Sequence, residues 1–335
     1  MAPVKFAFLG AKRDVSPWLL QSLSRVGTFE AICDEDAERY VAKLHVRWAF
    51  SDLSAMLREA EPDGVVLSRP LGDRARLIKQ CLAAGAGVLV TGAPGSATAC
   101  KRLASFSKLS GRFVLAAPAI RFSPAILLAR RLVESGKLGS PISMAIHSTR
   151  RGSPRTSVDD HGAVPSDQVF EAVDLIHHLI GPLQQVFACV HGDGALIASA
   201  ITVPGVPVSL VFHASGQAEA VGLELEIRAT DGTRLCVDRN QQLLCVTGSR
   251  VNAAHRVAMA MADPAVELGY DGLMAEFRRH VEAGRTGLGL VGAVTAITSA
   301  TEAVFASAER RRPVVPKQVR AAPGKQTAAS IGTAG

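Results

Sequence analysis

The sequence predicts an α/β chain in two parts: a doubly wound parallel sheet over residues 1–120, then an α+β domain with a mainly antiparallel open sheet over 121–315, followed by a flexible basic tail at 316–335. Three observations predict it. At 335 residues the chain exceeds the size at which one hydrophobic core keeps growing, so two domains are expected. Through the first 120 residues short apolar runs alternate with amphipathic stretches, the pattern of strands joined by crossover helices. From Pro141 onward one strand-like run follows another, separated by turn residues.

The elements follow in order. The apolar run at 4–9 reads as a buried strand, and Ser16-Pro17 opens the first helix as N-cap and N1 residues. Strands at 29–33, 64–68, 87–91 and 113–117 complete the parallel sheet, with helices beginning at Ala37, Asp52, Asp73 and Ala97 between them. After Arg121-Phe122-Ser123-Pro124 a helix runs to Glu134, and Gly136 and Gly139 end it with residues suited to left-handed backbone. The second sheet takes strands at 141–149, 185–191, 196–203, 207–214, 222–229 and 233–247, with turns at Pro204-Gly205 and Asp231-Gly232. One helix at 166–180 interrupts it, helices at 269–283 and 289–309 close the chain, and a last strand near Val315 ends the second domain, its return to the first domain being the alternative.

Bulk properties exclude several classes. The formal charge is +7, but Arg310, Arg311, Arg312, Lys317, Arg320 and Lys325 carry six of those charges and residues 310–335 contain no acid, so the remainder is nearly neutral at +1. With two Trp, two Tyr and no basic-aromatic stripe, no nucleic-acid partner is expected. No apolar run reaches the roughly 18 residues of a membrane span, and the N-terminus reads as a strand rather than a signal peptide. The expected setting is cytoplasmic, without a membrane partner. Cysteines at 33, 81, 100, 189, 236 and 245 form no Cys-x-x-Cys pair, which fits a reducing compartment and no metal site.

Gly10-Ala11-Lys12-Arg13-Asp14-Val15 joins the first strand to the first helix, where a Rossmann-like fold holds a dinucleotide pyrophosphate. Gly10 supplies the tight turn and is the one glycine of a Gly-x-Gly-x-x-Gly fingerprint present; Lys12 and Val15 put side chains where close approach of the phosphate and of helix to strand needs none, so the loop is degenerate. Lys12 and Arg13 oppose the charge of Asp14 and are candidate phosphate contacts. Asp34 lies 24 residues after Gly10, where a carboxylate at the end of strand two takes ribose hydroxyls and favours NAD over NADP; the other reading is that it caps the helix at 37–44. Pro70, after the strand at 64–68, is a further candidate at the same sheet end.

Residues 83–94, Ala-Ala-Gly-Ala-Gly-Val-Leu-Val-Thr-Gly-Ala-Pro, together with Cys33-Asp34, Pro70, Arg121-Phe122-x-Pro124, Gly136-Lys137-Leu138-Gly139, Asp174-Leu175, Gly181-Pro182 and Glu276-Phe277 through Ala300, Ser307 and Arg311 to Val315, resemble the glucose-fructose oxidoreductase/inositol dehydrogenase (Gfo/Idh/MocA) family along nearly the whole chain. The resemblance implies NAD(P)-dependent oxidation of an alcohol or sugar, a small-molecule ligand in the interdomain cleft, and a homo-oligomer formed through the open face of the second sheet. It also locates departures. Thr91-Gly92-Ala93 stands where the family has Glu-Lys-Pro, so Gly92 replaces the lysine that meets the substrate oxygen, and Arg74 replaces the histidine four residues after Pro70. With Asp174 and Gly181 as anchors, Asp167 keeps the family's aspartate and Glu171 replaces its histidine.

The residues of that helix carry the candidate chemistry. Asp167 and Glu171 are four apart and therefore neighbours, with Asp174 and His178 further along nearly the same face. Paired carboxylates in a closed site share a proton and raise one pKa, which suits general acid/base work. The competing reading is a polar face at a helix N-terminus. A register shifted by seven would instead pair Asp174 with His178 as base, while His177 reads as a partly buried helix residue. Arg121 is a candidate substrate contact or a helix anchor. Asp159-Asp160-His161, near Arg150, Arg151 and Arg155, reads as a solvated loop. The function expected is that of an oxidoreductase-family protein atypical or impaired in hydride transfer, with NAD or NADP as cofactor or none. The alternatives are a non-redox proton-transfer enzyme of the lyase or hydratase kind, and a catalytically silent regulatory or assembly subunit.

Overall fold

Val65, Val66 and Leu67, like Val88, Leu89 and Val90, are wholly buried, because a parallel sheet is covered by helices on both faces and its central strands have no polar side. The computed structural model describes residues 3–10, 16–35, 37–38, 41, 46–68, 71–136, 139–151, 164–191, 195–215, 222–238, 243–246, 254–257, 263–284 and 288–317. Strands β1 (Lys5–Leu9), β2 (Thr28–Cys33), β3 (Trp48–Phe50), β4 (Gly64–Leu67), β5 (Gly87–Val90) and β6 (Val114–Ala116) form a six-stranded sheet in the order β3-β2-β1-β4-β5-β6. Every neighbouring pair is parallel. The order reverses at β1, so the segments leaving β1, β2 and β4 meet at their carboxyl ends, the usual place for a ligand in such sheets.

Helices α1 (Pro17–Val26), α2 (Leu53–Glu59), α3 (Leu71–Ala83) and α4 (Ala97–Ser110) flank this sheet. Asp52 and Ser96 cap α2 and α4 by accepting from Ala55 N–H at 2.8 Å and Ala99 N–H at 3.2 Å. Ser16 does not cap α1 with its side chain. Pro17 brings no N–H, the Leu19 N–H is taken by the Ser16 carbonyl, and the Ser16 hydroxyl bonds to Tyr270 instead. Helix α3 begins at Leu71, two residues before the expected start, and the helix expected from Ala37 lies mostly outside the described residues. Strand β3 was not expected, because its three residues at a sheet edge are too few to show a period.

A 3-10 turn (Ala119–Phe122) and α5 (Pro124–Glu134) lead into the second sheet. Its strands are β7 (Pro141–Arg151), β8 (Leu183–His191), β9 (Ala195–Thr202), β10 (Pro207–Ser215), β11 (Gly222–Ala229), β12 (Arg234–Val237), β13 (Leu243–Val246) and β14 (Ala254–Val257), in the order β14-β13-β12-β11-β7-β10-β9-β8. Only β7 and β10 are parallel. The single strand expected at 233–247 is corrected to two antiparallel strands with Val237 opposite Leu243; the polar run Asp238-Arg239-Asn240-Gln241-Gln242 interrupts the apolar pattern. Helices α6 (Ser166–Leu179), α5 and α9 (Leu288–Arg310) pack on one face, so Leu196 and Ala198 are buried while Ile197 and Ile201 on the other face are exposed.

Helix α7 (Pro264–Glu267) precedes α8 (Tyr270–Glu282), and the sequence boundary at residue 120 does not hold for α8. Phe277 inserts between Phe6 and Phe113, with ring centroids at 5.4 and 5.7 Å, so α8 joins the core of the first sheet. Arg25 of α1 holds Asp263 and Asp271 at 2.7 Å each. The long helix α9 ties the two sheets together: Ala97 N–H donates to Glu302 Oε1 at 2.8 Å, and Ala188 N–H donates to Ser307 Oγ at 2.9 Å. Val314 bridges Val186 of β8, so the described end of the chain joins the second sheet and not the first.

Candidate functional site

Helix α6 is set against β7 by Gln168, whose Nε2 donates to the Ser148 carbonyl at 3.0 Å and to its hydroxyl at 2.8 Å. Its apolar residues Val169, Phe170, Ala172, Val173, Leu175, Ile176 and Leu179 are buried, which orients the helix. The carboxylates left at residues 167, 171 and 174 then have three different fates.

Asp167 reaches the end of β5. Its Oδ1 accepts from Arg74 Nη1 at 2.7 Å and from the Ala93 N–H at 3.2 Å, and its Oδ2 accepts from Arg74 Nη2 at 2.6 Å. Arg74 Nη1 also donates to the Ala93 carbonyl at 2.8 Å. The guanidinium side chain is 8% exposed and the carboxylate 44%, so the cation is internal and the anion faces outward. Gly92 lies directly beside them: a Cβ there would collide with Asp167 Oδ1 and stand 2.7 Å from Asp167 Cγ.

Asp174 is wholly buried and accepts from Arg121 Nη1 at 2.7 Å. Burial pushes its carboxyl up to about 6, and the opposing charge and hydrogen bond of Arg121 only partly offset that. Arg121, a candidate substrate contact by sequence, therefore faces the helix.

Glu171 is half-buried between these two, and no hydrogen bond or ion pair reaches it from the described residues. Burial, then the charge of Asp174, then that of Asp167, push its carboxyl up to about 7. The phenol of Tyr270, at the start of α8, lies within electrostatic reach of Glu171 and bonds to Ser16. Sequence reasoning missed Tyr270 because only the fold brings α8 to α6. It noted Arg74 as a departure but not as the partner of Asp167.

The two histidines point elsewhere. His177 Nε2 accepts from the Leu183 N–H at 3.3 Å, and burial followed by Arg121 lowers its pKa to about 4. His178 Nδ1 accepts from Arg130 Nη1 at 3.1 Å, and burial, Arg121 and Arg130 lower its pKa to about 3. Both are neutral at neutral pH. His178 is turned toward α5 and does not join Asp167 and Glu171 at the end of β5.

The dinucleotide candidates sit at the carboxyl ends of β1 and β2. Gly10 adopts φ 94°, a left-handed conformation that favours glycine, and its N–H donates to the Cys33 carbonyl at 2.9 Å. Asp34 lines a cavity of about 260 Å³ with Glu35, Ala37, Glu38, Ala49, Phe50 and Ser51. The three acids of this lining, Asp34, Glu35 and Glu38, offer oxygens that can accept hydrogen bonds from ribose hydroxyls. Lys12, Arg13, Pro70 and the Asp159-Asp160-His161 loop lie outside the described residues. Among the described residues no group of His, Cys, Asp or Glu is arranged to hold a metal, and no helix is long and apolar enough to cross a membrane.

No protein-family model matches the sequence, and no curated protein matches it either. Solved structures do. A levoglucosan dehydrogenase in complex with NADH and L-sorbose superposes with a TM-score of 0.81 at 15% identity, covering 95% of this chain and 100% of that one. An NAD binding oxidoreductase from Klebsiella pneumoniae gives 0.79 at 16%, covering 95% and 100%. GenD2 from gentamicin A biosynthesis, in complex with NAD, gives 0.76 at 16%, covering 94% and 97%. The chain thus has the fold of the Gfo/Idh/MocA-type NAD-binding oxidoreductases.

Proposed function

We propose that this chain, built on the Gfo/Idh/MocA-type fold, is a divergent member of that family that takes NAD at the ends of β1 and β2 and a small-molecule ligand in the cleft beside α6. Its proton handling has moved to Glu171. The observation that carries this reading is the division of labour among three carboxylates: Asp167 is held by Arg74, Asp174 is buried against Arg121 and raised to about 6, and Glu171, with no ion pair among the described residues, is raised furthest, to about 7. A group whose pKa lies near the working pH is the most effective general acid or base.

Gly92 has no donor, and Arg74 cannot take a proton because a guanidinium stays charged. NAD, when bound, supplies a hydride acceptor, and Glu171 is the residue of this chain that would accept the accompanying alcohol proton. Hydride transfer is atypical or impaired relative to a site with lysine and histidine. The same geometry favours a second reading, proton transfer without redox in an elimination or hydration, because Asp167 and Arg74 fill the position from which a lysine would polarise the substrate oxygen. A silent ligand-binding subunit is the reading left if both fail. The open face of the second sheet suits association with a second copy.

Titration of the purified protein with NADH and NADPH, read by nucleotide fluorescence and melting temperature, tests the cofactor. A ligand of the native state raises the melting temperature; NADH is expected to do so at lower concentration than NADPH. No response to either at millimolar concentration would remove the dinucleotide from the proposal. Sugar and alcohol turnover, lost in Glu171→Gln and retained in His178→Gln, tests the proton acceptor.

A further inference from the structure

The need for glycine at residue 92 is steric and local. Its backbone lies outside the left-handed region, so any residue would tolerate the conformation. What a side chain would not tolerate is Asp167, whose Oδ1 and Cγ occupy the space of the missing Cβ, with Arg74 Nη1 at 3.1 Å behind them. The Ala93 peptide closes the arrangement: its N–H donates to Asp167 and its carbonyl accepts from Arg74. Four hydrogen bonds among three residues therefore form a ring, drawn from α3, the end of β5 and the first turn of α6.

We propose that Arg74, Asp167 and Gly92 are one interdependent unit: Arg74 is the positioning residue that fixes the Asp167 carboxylate against the end of β5, and Gly92 is what admits that carboxylate. The unit clamps the first domain to α6 and fixes the residue one helical turn before Glu171. It rests on geometry alone, so it stands or falls separately from dinucleotide binding and turnover. One consequence is that lysine cannot simply be put back at 92, because the carboxylate already fills the place. Another is that lysine cannot replace Arg74, since a single ammonium does not make two parallel bonds to a carboxylate and a third to the Ala93 carbonyl.

A double-mutant cycle on the full chain tests the unit. Gly92→Ala is expected to lower the folding equilibrium constant at least tenfold in the wild-type background and less than twofold in Asp167→Ala, where the obstructing carboxylate is gone. An equal loss in both backgrounds would overturn the proposal. A spectroscopic readout separates the clamp from general damage: in ¹⁵N-arginine-labelled protein, the Nη protons of a guanidinium pinned by a carboxylate and a carbonyl exchange slowly, and Arg74→Gln identifies that signal. The signal is expected to vanish in Asp167→Asn, a variant of unchanged size, and its persistence there would also overturn the assignment. Arg74→Lys is expected to lose at least half of the melting-temperature difference between wild type and Arg74→Gln; wild-type stability in Arg74→Lys would show that charge alone suffices.

Discussion

Arg74 and Asp167 meet in a two-bonded ion pair, Nη1 to Oδ1 at 2.7 Å and Nη2 to Oδ2 at 2.6 Å, that joins the helix after β4 to the first turn of α6. Two turns on, Arg121 and Asp174 make a second such junction from the 3-10 turn. The carboxylate between them is left to its burial and to like charges. Among the described residues, that sequence of an acid in an ion pair, one without and one in an ion pair again is what distinguishes this helix from an ordinary polar face, where all three would be solvated and equivalent.

Replacing Glu171 with Gln changes stability in a pH-dependent way. The folded-state pKa is raised from 4.5 to about 7, so the native state binds the proton more tightly than the unfolded chain. The stabilisation from protonated Glu171 is fully present below about pH 4.5 and is lost as pH rises through 7. Glu171→Gln, which mimics the neutral form, is expected to stabilise the protein by about 1–3 kcal/mol at pH 8 and by almost nothing at pH 4. Urea midpoints measured at both values check this; an equal effect at the two pH values would mean that Glu171 is not perturbed.

Much of this was legible in the sequence, and the exceptions have physical causes. The parallel sheet could be read because its strands are continuous apolar runs such as Gly87–Val90, and the carboxylates of α6 because their spacing follows helical geometry. The pairing of Asp167 with Arg74 could not be, since 93 residues separate them and no local pattern encodes a long-range ion pair. Gly92 showed what was missing but not what filled the space. Strands β3 and β14, with three and four residues, are too short for a period to emerge.

The Arg121 and Asp174 pair is expected to be structural. Asp174 is wholly buried, so Arg121→Met leaves a carboxylate in the interior without its cation, at a cost of about 3–5 kcal/mol. Asp174, already raised to about 6, rises further in that variant, and the loss is therefore larger at pH 8 than at pH 5, where the proton can be taken up. Arg121→Met/Asp174→Leu should recover much of the stability. Denaturation of the three variants distinguishes this from a substrate role, for which Arg121→Met would lose ligand affinity and leave stability intact.

Asp34 carries the predicted preference between the two dinucleotides. It is 1% exposed at the end of β2 and shares its cavity with Glu35 and Glu38, so a 2′-phosphate would meet three acids. Asp34→Ser is expected to weaken NADH by about tenfold or more, the scale of about 1.4 kcal/mol, and to narrow the gap to NADPH. Calorimetric titration of both nucleotides provides the measurement. Equal affinities in the wild type would deny Asp34 this role and leave it as a turn residue.

The exposed face of the second sheet presents Phe187, Ile197 and Ile201, which are 43%, 45% and 38% exposed, alongside the exposed Cys189. Cys189 pairs in register with Ile197, so thiol and isoleucine belong to one patch. Contiguous apolar surface of this kind on a sheet flank is costly in water and favours a self-complementary contact between two copies. Sedimentation is expected to show a dimer or larger closed assembly, and Ile197→Asp to reduce it to monomer by burying an unpaired charge. Cys189 reports the same event chemically: a thiol reagent should label it slowly in the wild type and quickly in Ile197→Asp. A wild-type protein that sediments as monomer, with Cys189 freely labelled, would leave this face without a partner.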